Sequence, residues 1–355
     1  MSGASNGIAA FLRELPKAEI HVHLEGAIAP STLLALARRH GVALPADDEA
    51  GLTDWFRFRD FEHFVQVYLA CSRCLRDPED FARLVRDFLL AQAARGIVYC
   101  EAHFTISTHV ANGAKAGEVL DAVAVAIAAG EEETGVRLRL IPDIVRNVGV
   151  PPADLTLEWA LAGARRGIVA ALGLAGSEAR FSCEPFAPHF AEAERRGLHR
   201  VAHAGEHAGP TSVRAALALG AERIGHGVRT VEDPALLAEV VADRVPLELC
   251  PTSNLLLGVA PDLRSHPIAR LRVAGAELSI NSDDPALFAI DLPGELGRLH
   301  DELGWSAETL TELALAGFRH AFLPAEEKAL WERELRSRAR ELGERHLGRA
   351  IQVSG

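Results

Sequence analysis

Glu19-Ile20-His21-Val22-His23-Leu24 alternates apolar residues with two imidazoles one residue apart. On a strand, alternate side chains share a face, so His21 and His23 point the same way. Strand-like runs of this kind recur at 97–104, 137–145, 168–174, 200–203, 223–226, 246–250 and 277–281. Between them, apolar residues fall at three- and four-residue spacing over 32–40, 117–132, 155–166, 186–196, 211–219, 235–242 and 268–274. That spacing predicts amphipathic helices. Gly41 follows Arg38-Arg39-His40, Gly167 follows Arg165-Arg166 and Gly197 follows Arg195-Arg196. Cations on the last turn with glycine at the stop are helix ends. Eight strands alternating with helices predict an α/β protein, a parallel TIM (β/α)8 barrel rather than two Rossmann halves. No G-x-G-x-x-G follows a strand, and Gly173-Leu174-Ala175-Gly176 has the wrong spacing for a dinucleotide site.

The first two strands stand roughly seventy residues apart, which predicts additional helices at about 45–95. That interval holds Trp55, Phe56, Phe58, Phe61, Phe64 and Tyr68 in a chain only 6% aromatic. Two readings stand side by side: a helical layer with its own small core, or a lid whose apolar face closes over a flat substrate. On the second, Phe58 and Phe61 are substrate-facing. After the eighth strand, 305–347 is helical and charge-laced and is expected to pack outside the barrel. The whole of 1–355 is read as one domain.

With 48% hydrophobic and 24% charged residues, the chain has the composition of a soluble globular protein. Its formal net charge is −12 and it has no long basic tract, which argues against a nucleic-acid partner. No run is long and apolar enough to span a bilayer, and the N-terminus lacks the pattern of a secretory leader. Five cysteines without framework spacing point to a reduced cytoplasm. Cys71-Ser72-Arg73-Cys74 sits in a helical pattern without a second pair, so it reads as two ordinary helix cysteines. The sequence sets no oligomeric state.

Three more polar clusters end strand-like runs: His203-Ala204-Gly205-Glu206, Gly225-His226-Gly227 and Asn281-Ser282-Asp283-Asp284. Barrel enzymes gather their reactive groups at the C-terminal ends of the strands. His21, His23, His203 and Asp283 would supply three imidazoles and a carboxylate, a donor set suited to one zinc ion with room for a water. Burying two adjacent imidazoles without a metal leaves polar groups poorly satisfied. Glu206 lies in the loop beyond His203, placed as a proton shuttle; its alternative is loop solvation or a helix cap. His226, between two glycines, is placed to orient or stabilise the attacking water. Asp283-Asp284 has a second reading as a helix N-cap pair before Pro285. A histidine alone is ordinarily hydrogen-bonded structure, the reading given to His40, His63, His189, His207, His266, His300, His320 and His346.

LPKAEIHVHLEGA, HAGE, RIGHGVR, LELCPTSN and SINSDDP closely resemble, in combination and order, the adenosine deaminase family of the amidohydrolase superfamily. The resemblance runs from about Leu15 to near Leu347. It implies a (β/α)8 barrel with one zinc on His21, His23, His203 and Asp283. It further implies that Glu206 protonates purine N1 while a zinc-activated water attacks C6, that His226 assists that water, and that Asp284 hydrogen-bonds N7. Gly176 would meet the purine edge at N3 through its backbone. Loss of the 6-amino group as ammonia gives the 6-oxo product. The cytidine-deaminase plan, H-x-E with P-C-x-x-C, is absent.

Adenosine-specific members carry an aspartate where this chain has Glu25, and that carboxylate reaches the ribose 5′-hydroxyl. The longer Glu25 matches relatives acting on other 6-aminopurines, and the stretch 100–109 departs from the adenosine-specific pattern. His103 or His109, if facing the pocket, would contact a 5′ substituent. Adenosine is placed narrowly first, with 6-aminodeoxyfutalosine and free adenine as alternatives. A catalytically silent nucleoside-binding protein would have lost a ligand or the shuttle, and all are present. A two-metal hydrolase with a carboxylated lysine would need a lysine ending a strand, and none does.

Overall fold

In the computed structural model, which describes residues 2–353, eight parallel strands pair in chain order around one sheet. They are β1 (Lys17–His23), β2 (Ile97–Phe104), β3 (Arg137–Val145), β4 (Ala171–Ala175), β5 (His199–Ala204), β6 (Arg223–His226), β7 (Leu247–Leu249) and β8 (Leu278–Ile280). Helices cover the outside, the α/β barrel expected from the alternation. Three strands have the predicted limits; β4 starts later because Val169 makes only an isolated bridge, to Leu140. β7 and β8 shrink to three residues each.

Closure between β8 and β1 is made by few groups. His23 N donates to the Asp283 carbonyl at 2.7 Å and Asp283 N to the His21 carbonyl at 3.2 Å. Asn281 Oδ1 accepts from the amides of Ile20 (3.0 Å) and His21 (3.1 Å), replacing ladder bonds that the short strand cannot supply.

The predicted helix stops at Gly41, Gly167 and Gly197 all have positive φ, between 61° and 77°. Between β1 and β2 lie helices Pro30–His40, Glu49–Trp55, Phe61–Ser72 and Pro78–Ala93. Asp48 and Asp60 cap two of them, accepting from Gly51 N and His63 N. The C-terminal region is two helices, Ala307–His320 and Ala325–Leu347, parted at Pro324, which sits at the start of the second. It does not simply lie outside the barrel: Phe322, between them, packs with Ile141, Ala171 and Val201 and lies under the Arg223 guanidinium, 3.8 Å from ring centroid to Cζ.

Arg223 anchors a buried network at the N-terminal end of the strands. It contacts Glu101 Oε2 at 2.6 Å and Glu248 Oε1 at 2.5 Å, and donates to the His320 carbonyl at 2.8 Å. Glu101 also accepts from Tyr99 Oη at 2.9 Å. All five cysteines are free and buried, Cys71 in a helix and Cys74 just after it. Among the described residues no helix is long and apolar enough to cross a membrane.

Candidate active site

At the C-terminal ends of the strands, His21 and His23 of β1, His203 of β5 and Asp283 after β8 converge. His23 Nε2 lies 3.2 Å from His203 Nε2 and 3.4 Å from Asp283 Oδ1, and His21 Nε2 lies 3.6 Å from the same oxygen. Donors at tetrahedral corners about 2.1 Å from zinc would stand roughly 3.4 Å apart. The separations therefore fit one small metal ion. His21 Nε2 is buried without a hydrogen-bond partner, as an atom awaiting a ligand bond would be. Asp283 has φ 62°, a left-handed conformation that costs energy for a non-glycine residue and is typical of functional sites.

The other ring nitrogens are held from behind. His21 Nδ1 meets Glu248 Oε2 at 2.7 Å, and His203 Nδ1 donates to the Leu174 carbonyl at 3.0 Å. These partners fix the tautomer that leaves Nε2 for the site. Asp143 lies 3.9 Å from His23 Nδ1 and binds His103 Nδ1 at 2.9 Å, and the His103 ring stacks on His23 at 4.9 Å. Burial works against charge on His21, but the neighbouring carboxylates of Asp283 and Glu248 outweigh it and lift its pKa to about 10. Burial brings His23 down to about 4. A Cβ on Gly225 would stand 2.7 Å from His21 Cε1, so only glycine admits that ring.

Glu206 and His226 flank the cluster. His226 Nε2 lies 3.8 Å from Glu206 Oε2 and 3.9 Å from Asp283 Oδ2, while its Nδ1 meets Asn254 Nδ2 at 3.2 Å. Burial raises the Glu206 pKa, yet the neighbouring His226 and His207 imidazoles prevail and hold it below the ordinary carboxylate value. Burial and the adjacent Asp283 push Asp284 well above that value. A Cβ on Gly26 would stand 1.8 Å from Asp284 Oδ1, so the turn after β1 can pass only as glycine.

A cavity of about 190 Å³ opens over these groups. Its floor is His23, His203, Glu206, His226, Asp283 and Asp284, with Gly176, φ 97°, at one side. Phe61, Phe64, Val65, Tyr68 and Leu69, one stripe of helix Phe61–Ser72 at three- and four-residue spacing, form the opposite wall. Of the aromatic interval, Phe61 lines the cavity, while Phe58 packs against Phe64 (5.3 Å) and Phe288 (5.6 Å).

Three expected substrate contacts are not placed on this cavity. Phe58 faces a neighbouring surface cleft with Phe56, Pro285 and Ile290. His109 is fully buried, its Nε2 2.9 Å from Glu25 Oε1 and its ring stacked on Phe104 at 5.1 Å. Glu25 is bound below the surface by that imidazole and by Thr105 N (2.8 Å) and Oγ1 (2.6 Å). His103 likewise turns to Asp143 instead of the pocket. No helix begins at Pro285, so Asp283 and Asp284 are not its N-cap; the following helix, Leu292–Leu303, is capped by Asp291. His207, read as ordinary structure, stands with Nδ1 3.1 Å from Glu206 Oε2 and its ring 4.3 Å from Phe61.

Glu248 and Asn254 are the supporting residues that the motif reading passed over, although both lie in LELCPTSN. A carboxylate within the buried strand Leu247–Leu249 was the available signal, since an ion there requires a partner.

The sequence pattern of the family described as Adenosine deaminase matches residues 16–338. An adenine deaminase of Streptomyces coelicolor is 39% identical over 318 residues, covering 89% of this chain and 93% of the relative. An aminodeoxyfutalosine deaminase of the same organism is 40% identical over 324 residues, covering 90% and 83%. Among solved structures, an amidohydrolase from Burkholderia ambifaria with bound zinc superimposes with a TM-score of 0.86 at 26% identity, covering 97% of this chain and 95% of that one.

Proposed function

The chain belongs to the adenosine deaminase family, hydrolases acting on C–N bonds of cyclic amidines, and from that premise we propose that it removes the 6-amino group of a neutral purine using one zinc ion held by His21, His23, His203 and Asp283. The observation that carries this reading is the set of three imidazoles and a carboxylate, joined by separations of 3.2 Å (His23–His203), 3.4 Å (His23–Asp283) and 3.6 Å (His21–Asp283), on a cavity floor shared with Glu206 and His226. A relative with bound zinc supports the choice of metal.

When bound, the metal supplies the Lewis acidity that makes water a nucleophile at neutral pH. Replacing C6–NH2 by C6=O releases two protons from that water, one needed at N1 and one on the departing nitrogen. Glu206 stands ionised before substrate arrives, so it can collect the first and hand it to N1. His226, held by Asn254 and facing Asp283, handles the second. Asp284 and the backbone of Gly176 hold the ring at N7 and N3. The helix Phe61–Ser72 acts as a lid, covering the purine face and excluding bulk water. The free, buried thiols suit a reducing compartment such as the cytoplasm.

The cavity favours free adenine over adenosine, reversing the order taken from sequence. Its volume lies below the roughly 300 Å³ where pockets for drug-sized ligands begin. Glu25 and His109, the residues expected to read the sugar side, are spent on each other. Among the described residues no Lys or Arg lines the cavity, which disfavours a phosphorylated or carboxylated substituent. Ammonia release from adenine, adenosine, 6-aminodeoxyfutalosine and AMP, measured in parallel, tests this. The expected result is a kcat/KM highest for adenine and lowest for AMP; fastest turnover of AMP or of 6-aminodeoxyfutalosine would reject the substrate assignment.

A further inference from the structure

The loop that carries Glu206 is organised by one carboxylate arriving from the neighbouring strand. Glu178, two residues past Gly176, accepts from four consecutive backbone amides: Gly205 N at 2.8 Å, Glu206 N at 2.6 Å, His207 N at 2.6 Å and Ala208 N at 2.9 Å. Ser212 Oγ adds a fifth hydrogen bond at 2.5 Å. Successive amides converging on an anion form a nest, and bonds to an ionised acceptor are about twice as strong as neutral ones. On the strand side of the loop, Arg146 Nη2 donates to the His203 carbonyl at 2.8 Å. The side chain of Glu206 is tethered much less: its hydrogen-bonding neighbour is His207, whose amide Glu178 also holds.

We infer that Glu178 is the positioning residue of the proton shuttle, an inference that rests on reading Glu206 as that shuttle. The aim of the Glu206 carboxylate at the cavity is set through its backbone, and the backbone is set by Glu178. Because Gly176 and Glu178 leave β4 in one short turn, the segment that meets the purine edge also fixes the group that protonates the ring. An acid/base group misplaced by about 1 Å can lose on the order of 10²-fold in rate. Glutamine cannot substitute: its amide has one acceptor oxygen, and its NH2 would face amide donors.

The test compares Glu178→Gln, Glu178→Asp and Ser212→Ala with the parent, holding one zinc per chain. Turnover of the best 6-aminopurine, metal content and hydrogen exchange at the amides of 205–208 are measured in each. Glu178→Gln is expected to lower kcat about 10–100-fold, the range for outer partners of a site, with metal content unchanged. KM should move less than about threefold, since binding of the ring is not removed. Exchange at the four amides should quicken, and Glu178→Asp, which keeps the charge, should recover part of kcat. Unchanged kcat despite faster exchange would overturn the inference, as would a kcat loss matched by loss of metal. Should Glu178→Gln not fold, the same comparison is read from Glu178→Asp and Ser212→Ala, where slow exchange and parental kcat in both would be equally contrary. A parent that deaminates no 6-aminopurine would instead overturn the role of Glu206, while the exchange data would still decide whether Glu178 clamps the loop.

Discussion

Two buried polar layers are stacked along the barrel axis, and their charges are settled differently. In the lower one, the Arg223 guanidinium touches Glu101, Glu248, the His320 carbonyl and the face of Phe322. Its charges answer each other within the protein. In the upper one, donor atoms meet at 3.2 Å (His23–His203), 3.4 Å (His23–Asp283) and 3.6 Å (His21–Asp283), and His21 Nε2 has no hydrogen-bond partner. Glu248 belongs to both, with one oxygen on Arg223 and the other on His21. A layer closed on itself contributes to holding the fold, whereas one left open to a cation contributes to chemistry.

Exchanging damage between the layers should separate these effects. Glu206→Gln at the upper layer should reduce turnover by about 10²–10⁴-fold, the usual share of an acid/base group, while leaving the thermal midpoint near the parent's. Arg223→Ala at the lower layer should cost about 3–5 kcal/mol of stability, because two buried carboxylates lose their counter-charge. Denaturant titration beside steady-state kinetics checks both; a Glu206 variant that loses stability instead of rate would erase the distinction. The shared residue gives a smaller effect. Glu248→Gln should weaken metal affinity about 10–100-fold by loosening the His21 orientation, measurable by chelator competition. Unaltered affinity there would make the two layers independent.

What the sequence disclosed of this contrast follows from distance along the chain. His21 with His23 was legible because strand periodicity is a local property, and so were the barrel and the helix stops at Gly41, Gly167 and Gly197. The upper cluster was legible because each member ends a strand, and barrel geometry gathers strand ends. The partners of Glu25 were not legible, because Thr105 and His109 lie 80 and 84 residues away and nothing local says which donor a buried carboxylate will meet. The lower layer went unread for the same reason: Arg223 and Glu101 pair across non-adjacent strands, and Phe322 reaches the barrel from beyond β8. The helix Phe61–Ser72 sits between these cases, since its stripe was visible but not the side to which Phe58 would turn.

On the proposed function, the open layer holds one catalytic metal ion. Stripping the protein with a chelator, returning zinc in measured increments and following ammonia release from adenine decides it. Activity absent without metal and saturating at one zinc per chain is the predicted result. Full turnover by the metal-free protein, or a requirement for two ions per chain, would contradict it.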